Sequence, residues 1–560
     1  FALLVLPAWS KTGRNFYTAD RVACMKDNLA RYEWAQKERD RIIREADRWT
    51  AYDDERLRDL VPPPQVPRSA RVCINECPVH GQDVLKVASM YGWKMDFDHP
   101  YKVVCPVGGE SYPSNDFYAY LKGSMKDRSL LTGDHVDDGW GYKQSPDDRF
   151  AYWFVAYYAH WMADRYLLPA LQNLSKAYVI TGEAKYAHKC ALLLWQLATY
   201  YPDYNYETQS SYGKEVDHGY KGRLLYHTWE TWTVETAALA YDAIFPALAG
   251  DAELQKLSGL DAAGLARHLE DRMLRVMADD IIGGSHRIQG NWGMHQQAAL
   301  LVALALDTRA GTPTSQQIVD WVLDNRAPAE LYTDTGFRDM LVNLLHRDGI
   351  AFESPSYNCG WMTDLAAIAD LLIANGVDLW KEPRLRSVYT APIDMLANGQ
   401  HTTPLGDSNN MFSGGLGVSA PYQEQAWAQM RLPRQAKAMV QCGGTGQFSR
   451  DLFRPYLGDE IITQAEATPQ EAGVTSSLLP GLGFLTLQTG KPGRRFALSL
   501  YYGYYVGHTH FDLLNMDLYA YGWPLTPDLG YPETADTYDP RRFGFLAHTV
   551  VHNTCMVDAT

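Results

Sequence analysis

Four groups of residues in this chain have the types and spacing that chemistry needs. The densest is Gly507-His508-Thr509-His510-Phe511-Asp512, followed by Asp528 and by His552-Asn553-Thr554. Read as a strand, its period of two places His508 and His510 on one face. His510, Asp528 and His552 supply N, O and N donors suited to a divalent ion. A polar cross-strand cluster without metal is the competing reading. A second group, Gln289-Gly290-Asn291-Trp292-Gly293-Met294-His295, opens an apolar helix. Asn291 and His295 at a helix N-terminus can meet an anion, because the free N–H groups and the dipole favour one there. The plainer alternative makes Asn291 a cap and Trp292 core. The third runs from His346-Arg347-Asp348-Gly349 through Glu353 to Ser354-Pro355-Ser356-Tyr357. It reads as an active-site loop at a helix start, or as a helix–helix connection with a buried Tyr. The fourth, His401-Thr402-Thr403-Pro404-Leu405-Gly406-Asp407-Ser408, is a polar loop after a helix and is weak by itself.

The elements that must position these residues change character along the chain. Residues 17–50 read as one helix that Thr18 can cap, with Val22, Met25, Leu29 and Tyr32 on one face. Residues 61–115 are an irregular excursion rich in Pro, Gly and Cys. Two helical stripes follow: Leu167, Leu171, Leu174 and Tyr178, ending at Thr181-Gly182, then Tyr186, Cys190, Leu194 and Leu197, ending at Tyr201-Pro202. Further helices are expected at 229–244, 292–306, 315–323, 364–374 and 392–397, the last two stopping at Asn375-Gly376 and Asn398-Gly399. Near residue 455 the period becomes that of strands: 483–488, 495–501, 515–521 and 554–557. The expected class is therefore α+β and multidomain. An N-terminal (α/α) toroid, an incomplete barrel, precedes an antiparallel β-sheet or β-sandwich domain. Residues 1–125 form the first helix and the excursion, 126–455 the toroid, and 456–560 the sheet. A sheet begun so late has few strands with which to bury itself, so the chain is expected to continue past Thr560.

A length of 560 residues calls for more than one core. The 36 Tyr and 16 Trp provide rings on which pyranose sugars stack, although large helical domains also bury many aromatics. A net charge of −15 argues against nucleic acid, yet leaves room for a locally basic cleft and a polyanionic sugar. No run of about 18 apolar residues reads as a membrane span. The opening Phe-Ala-Leu-Leu-Val-Leu is either the remnant of a signal-peptide apolar region or a buried first strand. Most of the eight Cys read as buried thiols. The exception is Cys73-x3-Cys77-Pro-Val-His80 with Cys105-Pro-Val-Gly-Gly, which looks like a pair of zinc knuckles. A zinc site from Cys73, Cys77, His80 and Cys105, a Cys77–Cys105 disulfide, and no bond at all are the open readings.

Taken together, the four groups resemble the heparinase II/III-like superfamily of polysaccharide lyases. The matching elements are Asn291-Trp292 opening a helix, Asp348-Gly349…Glu353…Ser356-Tyr357, Gly406-Asp407-Ser408, and Gly507-His508-x-His510-x-Asp512. The last is followed by Leu518-Tyr519-Ala520…Asp528-x-Gly530…His552-Asn553-Thr554…Val557-Asp558. The resemblance runs from about Ala151 to the end. It implies the toroid-plus-sheet architecture, a glycosaminoglycan or alginate polymer as substrate, and a secreted or periplasmic bacterial enzyme. It also implies a zinc or manganese ion on His510, Asp528 and His552, ordering the site rather than performing the reaction.

The implied reaction is β-elimination at a uronic acid. The C5 proton is very weakly acidic, and donors placed on the adjacent carboxylate stabilise the enolate-like intermediate. The resemblance gives that task to Asn291 with His295. It makes Tyr357 the catalytic Tyr, able to serve as base and acid when proton and leaving group share one face of the ring. For opposite faces a second base is needed, and His508 is the candidate. His227, Trp229, Arg347, His401 and Arg542 are candidate substrate contacts, with Arg223 and Arg541 beside them, and each also reads as a plain surface or core residue. Gln296 and Gln297 stand where some relatives carry Glu, which puts a carboxylate role there in doubt. An alginate lyase, a uronyl C5-epimerase and a non-catalytic carbohydrate-binding protein are the alternatives. Oligomeric state is not legible.

Overall fold

The computed structural model describes residues 11–210, 221–306, 311–373, 376–409, 412, 414–469, 475–491, 493–504, 507–526, 528–531 and 540–557. The apolar opening, residues 1–6, and Asp558 lie outside them. The chain divides into two compact units. One runs from Val5 to Gly290 and adds Met294–Trp321; the other comprises Asn291–Gly293 and Val322–Thr560.

The first unit is helical. Residues 17–50 form two helices rather than one: α1 (Ala19–Arg31) and α2 (Glu33–Thr50). Thr18 caps α1 by accepting the Arg21 N–H, as its residue type requires. Tyr32, extended at φ −124° and ψ 128°, breaks the ladder between the two helices. The apolar stripe then resumes in α2 as Ala35, Ile42, Ala46 and Trp49, all buried. The next stripes bury as their spacing dictates. In α3 (Leu168–Thr181) these are Leu171 and Leu174, and left-handed Gly182 ends the helix. In α4 (Ala184–Tyr200) they are Tyr186, Cys190, Leu194 and Leu197. Helix α5 is Glu230–Ile244 and α6 is Met294–Ala305. Helix α3 packs on α2, α4 and α5, and α5 packs on α6. On α4, His188 Nδ1 lies 2.9 Å from Asp251 Oδ1 and its Nε2 3.1 Å from Asp54 Oδ2. The hydrogen bond to Asp251 is the larger cause that raises this imidazole to about 9.

The second unit holds helices and the sheet. Helix α7 (Pro355–Ile373) begins nine residues before the expected Asp364, so Tyr357 stands in its first turn. Pro355 suits that start, since its missing N–H would be unpaired there anyway. Helix α8 is Pro383–Asp394. The helix expected over 392–397 is present only as the last turn of α8 and stops at Asp394. Leu396–Ala397 instead pairs with His401–Thr402 as a hairpin. Asn398 and Gly399 both take positive φ (55° and 70°), so Asn-Gly makes a hairpin turn and not a helix stop.

Five strands follow: β1 (Ser477–Leu479), β2 (Phe484–Lys491), β3 (Arg494–Tyr501), β4 (Met516–Ala520) and β5 (Trp523–Pro524). They form one antiparallel meander in the order β5-β4-β3-β2-β1. A helix-rich region thus precedes an antiparallel sheet, as the change of period requires. Alternation decides the faces: Arg495, Ala497, Ser499 and Tyr501 of β3 are buried, as are Asp517 and Tyr519 of β4. One core cluster joins Ile350, Ala391, Met395 and Leu405 to Leu479, Leu482, Phe484 and Tyr501, and so fixes the sheet to α8. Thr554–Val557 is not a strand. The Thr554 hydroxyl donates to the Leu513 carbonyl, and Met556 and Val557 are exposed.

Candidate active site

Tyr357 and His508 meet within the second unit. The segment before α7 runs parallel to the one before His508. Ser354 N–H donates to Gly507 O (3.1 Å) and Gly507 N–H to Phe352 O (2.8 Å). A Cβ on Gly507 would stand 2.6 Å from Glu353 Oε2, so glycine here leaves room for the Glu353 carboxylate. His508 takes a left-handed φ of 52°, which ends any period-two alternation. The expectation that His508 and His510 share a strand face therefore fails: His508 turns to Tyr357 and Glu353, His510 to Asp407.

The imidazole of His508 is stacked on the Tyr357 ring, centroids 3.5 Å apart and planes 6° from parallel. His508 Nδ1 lies 2.8 Å from Glu353 Oε2. The Glu353 side chain is fully buried, whereas that of His508 is about one-third exposed. With Nδ1 committed to Glu353, Nε2 is the nitrogen left to exchange a proton. Tyr357 Oη lies 3.1 Å from Tyr531 Oη. Burial, and then the hydrogen bond to Tyr531, push the Tyr357 hydroxyl well above the ordinary tyrosine range, so it holds its proton at neutral pH.

Asp407 organises the other side. Its backbone N–H donates to His508 O (2.7 Å), its Oδ1 pairs with His510 Nε2 (3.0 Å), and its Oδ2 accepts from Arg542 Nη2 (3.1 Å). Burial alone would raise this carboxyl. The His510 hydrogen bond and the Arg542 charge outweigh it and hold Asp407 below its usual value. Gly406, at φ 59°, places the loop so close that a Cβ would lie 2.3 Å from His508 O.

The three expected metal ligands are buried neighbours in a particular pattern. His552 Nδ1 lies 2.8 Å from Asp528 Oδ2, and the His510 and His552 rings are 5.4 Å apart. Each imidazole thus has one nitrogen fixed by a carboxylate. The other nitrogen, His510 Nδ1 or His552 Nε2, is buried without a hydrogen-bond partner, and so is Asp512 Oδ1. A carboxylate behind one nitrogen and a second nitrogen without a partner is the disposition of a metal-binding His, so the donor types suit a divalent ion. Asp528 stands in it as the partner of His552. Among the described residues, three ligand atoms within 4.8 Å of one another occur at Cys77–His80–Cys105 and at Asp54–His188–Glu253, not here.

The remaining candidates are dispersed. Trp292 packs on Trp361 of α7, ring centroids 5.3 Å apart, and its Nε1 donates to Thr335 O. The Asn291–Gly293 tripeptide is thereby anchored on the helix that carries Tyr357. In the first unit His295 is fully buried and its Nδ1 accepts the Gly290 N–H (3.2 Å). Trp229 belongs to an aromatic group with Tyr226 (4.1 Å) and Trp232 (5.7 Å, stacked), and Trp232 is 42% exposed, a surface on which a sugar ring can lie. Burial holds His227 down to about 4, hence neutral. Arg223 is buried in an ion pair with Asp280 and is withdrawn from any ligand. Arg347 is exposed, and His401 stacks on Tyr519 (5.5 Å). Sequence reasoning quoted Glu353 and Asp407 inside motifs without giving them roles, and it missed Tyr531. Their only signal was proximity to Tyr357, to Gly406 and to Asp528.

Residues 473–560 match the family model described as "Heparinase II/III-like, C-terminal". The match falls where the Gly-His-x-His-x-Asp resemblance is densest. Among solved structures it is similar to the heparinase III BT4657 gene product, at 15% identity and a TM-score of 0.44, over 77% of this chain and 58% of that one. It is also similar to the heparan sulfate lyase HepC from Pedobacter heparinus, at 15% identity and a TM-score of 0.44, over 79% of this chain and 60% of that one. The chain thus spans less than two thirds of the length of these two proteins. No curated protein matches it.

Proposed function

We propose that the protein is a polysaccharide lyase that cleaves uronic-acid-containing glycosaminoglycans, such as heparan sulfate, hyaluronan or chondroitin sulfate, by β-elimination. The observation that carries this reading is the Tyr357–His508 stack with Glu353 behind the imidazole. An imidazole whose Nδ1 is held by a buried carboxylate is oriented to take a proton at Nε2. A Tyr held in its protonated form is an acid. In the proposed step His508 Nε2 takes the C5 proton, and the C–H electron pair forms the C4=C5 double bond. The C4–O4 bond breaks, and O4 receives the proton of Tyr357 Oη. Asn291, on the tripeptide anchored to α7, is assigned to the uronate carboxylate, and Arg542 to orienting Asp407 or a substrate anion. A divalent ion, zinc or manganese, would be held by His510 and His552 with a carboxylate of Asp512 or Asp528. Its contribution when bound is to order the His508–His510 turn. The polymeric substrate favours a secreted or periplasmic location.

Incubation with a panel of heparan sulfate, hyaluronan, chondroitin sulfate and alginate tests the reading. Ultraviolet absorbance of unsaturated uronate must appear with a glycosaminoglycan. Absorbance with alginate alone would move the substrate class, and C5 proton exchange without cleavage would indicate an epimerase.

A further inference from the structure

We infer that Cys77, His80, Cys105 and Glu110 form a structural zinc site in the helical unit, far along the chain from the elimination residues. Three ligand atoms already stand at the separations such a site needs. Cys77 Sγ is 3.6 Å and Cys105 Sγ 3.7 Å from His80 Nδ1, and the three atoms lie within 4.8 Å of one another. Bond lengths of about 2.3 Å for Zn–S and 2.0 Å for Zn–N place tetrahedral ligand atoms roughly 3.5 Å apart. Glu110 Oε2 lies 3.7 Å from the same nitrogen and is buried with no hydrogen-bond partner, which supplies a fourth donor. Cys73 lies outside the set.

The backbone supports the same assignment. Cys77-Pro78-Val79-His80-Gly81 and Cys105-Pro106-Val107-Gly108-Gly109 make matching turns. Gly81 N–H donates to Cys77 O (2.8 Å) and Gly109 N–H to Cys105 O (3.0 Å). Cys105 N–H donates to Glu110 O (2.9 Å), which folds the carboxylate back over its own turn. Position 108 in the second turn corresponds to His80 in the first. A Cβ there would stand 2.4 Å from His80 Cε1 and 2.3 Å from Glu110 Oε1. Glycine at 108 therefore admits both groups to one point. Both thiols are buried and neither is in a disulfide. Two thiolates, an imidazole and a carboxylate fill all four positions of zinc, so the site ties the excursion together and leaves no position for a substrate.

The test is metal exchange on the full chain. The cobalt-substituted protein should show a thiolate-to-cobalt charge-transfer band in the near ultraviolet. That band should be lost in Cys105→Ser and kept in His552→Ala, whose ligands would be nitrogen and oxygen. Zinc content should fall by one equivalent in Cys105→Ser. Absence of the band from the otherwise wild-type cobalt protein would overturn the site, and so would a Cys77–Cys105 disulfide in the unreduced peptide map. Both of those readings use the unmutated chain, so they do not depend on the variant folding.

Discussion

His508 lies flat against Tyr357, ring centroids 3.5 Å apart, while its Nδ1 points away to a buried Glu353 carboxylate 2.8 Å distant. Two side chains that are 151 positions apart in sequence, 508 less 357, are thus held against one another. In the proposed reaction Tyr357 is the acid and His508 the base.

Tyr357→Phe keeps the ring stack and loses only the hydroxyl and its contact with Tyr531. The expected fall in kcat is about 10²- to 10⁴-fold, with KM nearly constant and the circular dichroism spectrum unchanged. A variant with full activity would remove Tyr357 from the reaction.

In the proposed reaction Glu353 positions the His508 imidazole. Glu353→Gln can still accept from Nδ1 but carries no charge, and Glu353→Ala does neither. Turnover should fall in both, by roughly 10²-fold or more for Ala, with partial rescue by Gln. The loss should appear in kcat, since Glu353 is buried behind the imidazole and KM has no reason to move. Equal loss in the two variants, confined to KM, would refute the role.

Gly406→Ala adds a Cβ 2.3 Å from a backbone oxygen at a left-handed φ, with no flexible side chain to give way. The expected cost is about 1–3 kcal/mol, read by urea unfolding. Gly507→Ala meets the end of the Glu353 side chain instead. It should cost activity more than stability, because that carboxylate must leave His508.

His188 ties α4 to Asp54 and Asp251, and its folded-state pKa is raised from 6.5 to about 9. A raised pKa means that the folded state holds the proton more tightly. The stabilisation is complete below about pH 6.5 and is lost as pH rises through 9. Urea midpoints should therefore decline over that window, and the decline should be smaller in His188→Gln. A window of the same depth in the variant would contradict the assignment.

The helical stripes were legible because burial follows their spacing, and so were their Gly and Pro stops. Tyr357 and His508 were legible as motif members. What was not legible depends on contacts between distant segments. Nothing local marks Glu353 as the partner of His508, or Tyr531 as that of Tyr357. Local rules also misread several places. Tyr32 breaks a helix without Pro or Gly. Asn398-Gly399 suits a helix stop and a hairpin turn equally well. Thr554–Val557 has strand-forming residues but spends its Thr on a carbonyl of another segment. The positive φ at His508 erased the alternation that had paired it with His510.

The most direct test of the elimination account is unsaturated-uronate absorbance from the purified chain on heparan sulfate, hyaluronan and chondroitin sulfate, run beside His508→Ala and Tyr357→Phe. The account predicts absorbance on at least one of these polymers with the unaltered chain, and near-complete loss in both variants. No absorbance on any of them, or cleavage that leaves only saturated ends, would contradict it.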